Sequence, residues 1–184
     1  MQKASLTFTL LAMLACSTQI QAADNGGWYK QKWVRSQYEA GSGDVAGAKP
    51  GQAVYLSGES RRSDFNAIIL RSISVKEWRG KRLSVTMRLK NDGDVRGRAQ
   101  IFFQEGRAVG GTIYSAPQEN IAGDEWQNHR FVMDVPATAD NLVLSVDLVG
   151  KGKVWIDETA VGLVSTDVAV TESRKSAGGI FGSL

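Results

Sequence analysis

Few side chains in this sequence stand at separations that could support bond-breaking chemistry. Three acid pairs sit on candidate turns: Asp92 with Asp94, Asp124 with Glu125, and Asp157 with Glu158. Two carboxylates facing each other across a cleft are the apparatus of glycoside hydrolysis. Neighbouring acids on one turn share a single solvated spot and flank no bond. His129 is the one histidine, and a Ser–His–acid relay needs a histidine beside a nucleophile. Within "QNHRF" it is in step with Phe131, which makes it a structural or edge residue. "GRAVGG" at 106–111 has the glycines of a phosphate loop but neither its lysine nor its strand-to-helix setting. One histidine and no cysteine beyond the leader leave zinc short of ligands. The expectation is a chain without catalysis, without a cofactor and without a metal centre.

Binding needs less. A sugar site wants one aromatic ring to lie against the sugar C–H groups and several fixed polar groups for its hydroxyls. Alternation along the candidate strands gathers such a set on the face opposite the core: Thr86, Arg88, Gln100, Phe102, Gln104, Ser145 and Asp147. The other account of these residues is a solvated outer sheet face, which any sandwich has. Phe102 argues for a ligand, because a large ring outside the core asks for a cover.

The elements that must hold these residues are strands. No segment past the leader sustains a 3.6-residue apolar stripe, and period-two alternation dominates. "LSVTMRLK" at 83–90 sets Leu83, Val85, Met87 and Leu89 against polar residues, and "RAQIFFQ" at 98–104 sets Ala99, Ile101 and Phe103 inward. "HRFVMDVP" does the same with Phe131, Met133 and Val135, and "LVLSVDLV" at 142–149 with Leu142, Leu144, Val146 and Leu148. Further runs are 33–40, 53–58, 66–73 and 153–158. The predicted fold is all-β, a two-sheet antiparallel β-sandwich (jelly roll) of about eight strands. "NDGD" at 91–94 and "GKG" at 150–152 have the chemistry of tight turns between neighbouring strands. Segments 41–52, 58–65 and 105–125 are long enough to cross between sheets. Trp126 and Trp155 are expected to pack, and Trp78 to form a rim or a lid on the core.

Composition agrees with one globular domain: 42% hydrophobic and 22% charged residues, with 20 glycines and 3 prolines in 184 residues. The formal net charge of +3 is too small to argue for nucleic acid. The N-terminus has the pattern of an export signal: Lys3, an apolar run from Ala4 to Ala15, then "STQIQA" ending at Ala22. The expected organisation is a signal peptide at 1–22, a lead-in at 23–32, the sandwich at 33–164 and a flexible tail at 165–184. The expected location is therefore periplasmic or extracellular. The single cysteine, Cys16, lies inside the leader, so cleavage after Ala22 removes any disulfide. "MLAC" has a second reading as a lipidation motif, with Cys16 acylated and the protein anchored in the envelope. A membrane is expected as a partner only in that case.

Three stretches carry a family likeness: "YEAGSGDVAGAKPGQAVYLSG", "WRGKRLSVTMRLKN" and "GDEWQNHRFVMDVPATADNLVLSVDLVGKGKVWIDETAVGLV". Together they resemble carbohydrate-binding-module-like, galactose-binding-type jelly rolls, similar to accessory jelly rolls of bacterial helix-turn-helix regulators. The likeness spans 33–164. It implies the sandwich fold and a glycan as partner. It also implies a place for a structural Ca²⁺ between Glu39 and Asp157, where hard oxygen ligands would suit that ion. The chain departs from the likeness in having a leader and no DNA-binding region.

A different kind of partner is also open. "WYKQKWVR" at 28–35 interleaves aromatics with Lys30, Lys32 and Arg35, and Arg61, Arg62, Arg79, Lys81, Arg82, Arg96, Arg98 and Arg107 add positive charge. If these cluster in space, the chain would hold an envelope polyanion or a protein partner by electrostatics alone.

Overall fold

Strands β5 (Arg82–Gln104) and β9 (Asn141–Val164) are far longer than the others and run antiparallel to one another over nearly their whole lengths. Around them stand β1 (Trp28–Lys30), β2 (Tyr38–Gly43), β3 (Ala53–Gly58), β4 (Ala67–Ser74), β6 (Thr112–Ser115), β7 (Glu119–Ile121) and β8 (Gln127–Asp134), with a short 3₁₀ turn at Lys76–Trp78. This computed structural model describes residues 27–30, 38–58, 67–106, 112–116 and 118–171, leaving aside the side chains of 112–115.

Each long strand serves both layers of the sandwich. The first layer runs β2, β3, the second half of β9, the first half of β5, then β8. The second layer runs β1, β4, the first half of β9, then the second half of β5, with β6 and β7 on the far side of β5. The bend falls where turns were expected. "NDGD" and "GKG" are not hairpin turns: they lie opposite one another inside the β5–β9 ladder, Asp92 against Lys153, Gly93 against Gly152 and Asp94 against Lys151. The physical reason is glycine geometry. Gly93, Gly150 and Gly152 have φ of 97°, 120° and 146°, a region closed to residues with a Cβ. A Cβ on Gly150 would lie 2.3 Å from the Asp94 carbonyl oxygen, and one on Gly152 equally close to that of Asp92. The two strands fold over together because glycines stand where their backbones approach most closely.

The alternation read from the sequence sets the core. Leu83, Val85, Met87 and Leu89 from the first layer meet Ala99, Ile101, Phe103, Leu142, Leu144 and Val146 from the second, and all ten are fully buried. Parity survives the bend, so odd residues of β5 face inward on both sides of it. Trp78, in the 3₁₀ turn, packs against this cluster as a lid.

Three boundaries differ from expectation. Trp28, placed in the lead-in, pairs with Arg71 on β4 and is buried in the core. Segment 105–125 contributes β6 and β7 to the edge of β5 instead of a plain crossing. The start of the expected tail is tied down: Arg82 donates to the carbonyls of Thr166 and Val168, and Thr171 exchanges hydrogen bonds with the backbone of Val132. The leader, residues 31–37 and residues 172–184 lie outside the described residues.

Candidate ligand-binding surface

On the outer face of the second layer, register fixes a block of cross-strand pairs. Arg98 stands opposite Asp147, Gln100 opposite Ser145, Phe102 opposite Val143, and Gln104 opposite Asn141. All eight share one face because they occupy the outward parity of β5 and β9. Phe102 is half-buried, and Val143 beside it on β9 is almost fully buried. The Arg98 guanidinium grips Asp147 with two hydrogen bonds, Nε to Oδ1 at 2.9 Å and Nη2 to Oδ2. Burial pushes the Asp147 carboxyl above its ordinary range, while the hydrogen bonds and charge of Arg98 pull it down. The result is a ring flanked by amides, a hydroxyl and a fixed ion pair with a planar donor fork.

The seven expected site residues do not lie together. Gln100, Phe102, Gln104, Ser145 and Asp147 share the surface just described. Thr86 and Arg88 precede the bend and face outward from the first layer, with the core between them and the others. Arg88 is moreover engaged there. It pairs with Asp157, donates to the Gly47 carbonyl at 2.9 Å, and lies 4.8 Å from the Trp126 ring centroid. Trp126 Nε1 in turn donates to the Ala46 carbonyl at 2.8 Å. These contacts clamp the 44–52 loop onto the first layer. Arg98, which the sequence groups with the basic residues, belongs to the Phe102 surface. Its signal was present, since it alternates in step with Gln100, Phe102 and Gln104.

The other candidates resolve as follows. Glu39 is exposed on β2, and Asp157 is taken by the Arg88 guanidinium, a cation already in contact with that carboxylate and a loop carbonyl. Among the described residues no group of three or more His, Cys, Asp or Glu could hold a metal ion. His129 is buried with Nδ1 2.9 Å from Glu119 Oε2, which ties β8 of one layer to β7 of the other. Several expected basic residues spend their charge locally: Arg79 on Asp140, Arg82 on Asp134, and Arg98 on Asp147. Lys30 lies over the Tyr38 ring. Arg96 and Lys81 are exposed. Lys32, Arg35, Arg61, Arg62 and Arg107 lie outside the described residues.

Solved structures share this architecture. A CBM22-1 xylan-binding domain from Paenibacillus barcinonensis superposes with a TM-score of 0.54 at 12% identity, over 78% of this chain and 90% of that one. The chain has the jelly-roll fold of carbohydrate-binding modules. A CBM4 module matches with a TM-score of 0.51 at 15% identity, over 78% and 91% of the two chains. The tailspike protein 4 enzymatically active domain of Bacteriophage CBA120 matches with a TM-score of 0.58 at 19% identity over 77% of this chain. This chain spans only 20% of the length of the tailspike chain. At these identities the likeness carries the fold alone. No protein-family model matches the sequence, and no curated protein does.

Proposed function

We propose that this chain is an exported, non-catalytic binding module that takes a glycan on the outer face of its second layer. The observation that carries the reading is the cross-strand block of Arg98–Asp147, Gln100–Ser145 and Phe102–Val143. It sets an aromatic ring beside paired donors and acceptors held by sheet register, so little ordering is needed on binding. The solved xylan-binding modules of the same fold support glycan as the ligand class.

The test is a glycan array followed by titration calorimetry. Phe102→Ala is expected to abolish binding while costing no more than about 2 kcal/mol of stability, since the ring is half-buried and lies outside the core. Arg88→Ala is expected to leave binding intact, because Arg88 holds the loop on the other layer. If Arg88→Ala removes binding and Phe102→Ala does not, the site belongs to the first layer. A neutral glycan should bind almost independently of salt, whereas a polyanion held by basic residues would be released as salt rises.

Export has its own readout. Mass spectrometry of the protein from its host is expected to give an N-terminus at Ala23. An acylated Cys16 would replace the secreted form with a lipid-anchored one.

A further inference from the structure

We propose that the free edge of β9, from Thr159 to Val164, pairs with the same segment of a second copy to form a two-fold dimer with one sheet running through both chains. Most of β9 has a strand on each side. Residues 141–148 lie between β4 and β5, and 152–156 between β3 and β5. Beyond Asp157 the ladder to β5 continues to Val164, but no described residue pairs with the other side. A row of backbone donors and acceptors is left open.

Sheet edges are ordinarily blunted by lysine, proline or inward-pointing charge. The stretch "TAVGLV" at 159–164 has none of these. Leu163 is 49% exposed, more than any other large hydrophobic among the described residues. Gly162 has open space where a Cβ would stand, so an incoming strand meets no obstruction there from the described residues.

The occupant is argued from charge. An antiparallel pairing centred on Val161 sets Thr159 against Leu163, Ala160 against Gly162, and Glu158 against Val164 of the other copy. No like charges meet, which is what directly opposed pairs require. The nearest acid, Glu158, already has Lys49 3.0 Å away. An isologous contact of this kind closes at two copies and buries both Leu163 side chains.

The test is sedimentation of the full chain over a range of concentrations, with hydrogen exchange read at 159–164. The expected result is a mass that rises to twice that of the chain, with exchange at these amides slowing as the dimer forms. Ala160→Lys and Leu163→Lys alter exposed positions, so each is expected to remain monomeric at every concentration and to melt with the parent at dilutions where the parent is monomeric. A parent chain that stays monomeric throughout, or a dimer that both lysine variants preserve, overturns the proposal. Slow exchange at 159–164 that ignores concentration also overturns it, assigning the edge to another segment of the same chain.

Discussion

Gly150→Ala is expected to cost roughly 4 kcal/mol or more, from a left-handed backbone forced on a residue with a Cβ and from overpacking against a neighbouring carbonyl. The φ of 120° is hostile to alanine, and the new carbon would stand 2.3 Å from the Asp94 oxygen. Backbone on both sides of the crease leaves no flexible side chain to yield. That cost is a large share of the stability of an ordinary domain, so urea denaturation of the variant should show a much lower midpoint or no folded baseline. Gly162→Ala serves as the control, because open space surrounds its Cβ position. It is expected to stay within about 1 kcal/mol of the parent. Equal midpoints for the parent and Gly150→Ala would mean that the bend tolerates a side chain and is not set by glycine.

Trp155→Ala is expected to cost about 3–5 kcal/mol, as for other buried aromatic truncations. Trp155 is only 5% exposed, yet it sits on the outer face of the first layer, out of step with Val154 and Ile156 in the core. Its burial comes from neighbours on that face. The ring meets Tyr55 edge-on at 5.3 Å between centroids, and Lys153 lies 5.1 Å from it. Gly43 on β2 borders the ring, where a Cβ would make ordinary contact at 3.8 Å from the indole. Gly41 leaves room for Tyr55, whose hydroxyl would stand 2.9 Å from a Cβ there. The indole Nε1 is buried with no hydrogen-bond partner among the described residues, and an orphaned donor is itself a cost. Trp155→Phe keeps most of the packing and removes that donor, so it should lose less than about 1.5 kcal/mol. Thermal unfolding of the two variants decides. A Trp155→Ala protein that melts with the parent would mark the ring as available to a ligand instead.

Local patterning carried most of the core because period-two alternation is written into each strand separately. Leu83 through Leu89 and Leu142 through Leu148 needed no knowledge of their partners. The creases were a different matter. "NDGD" and "GKG" have the composition of hairpin turns, and what makes them a bend is that each faces the other across the sheet. That fact depends on residues some sixty positions apart. The candidate surface inherited the same ambiguity. Alternation alone put Thr86, Arg88 and Phe102 on one outward face, and so they are along the strand. The bend between Arg88 and Arg98 turns that single face into two, back to back. The Arg98–Asp147 grip likewise depends on register between β5 and β9, which neither strand contains by itself.

The shared strands also govern how the chain can come to its folded state. Neither layer is complete without half of β5 and half of β9, and the ladder between them reaches from Arg82 to Val164. Closing so long an interval costs chain entropy before it returns any contact. The layers therefore cannot assemble one after the other as small independent units. As the chain emerges N-terminus first from the ribosome, β5 can pair with β6, β7 and β8 along one edge, but its other edge stays open until β9 follows. The sandwich is thus committed to a late closure, with the β9-facing edge of β5 open to the wrong partners until synthesis is nearly complete.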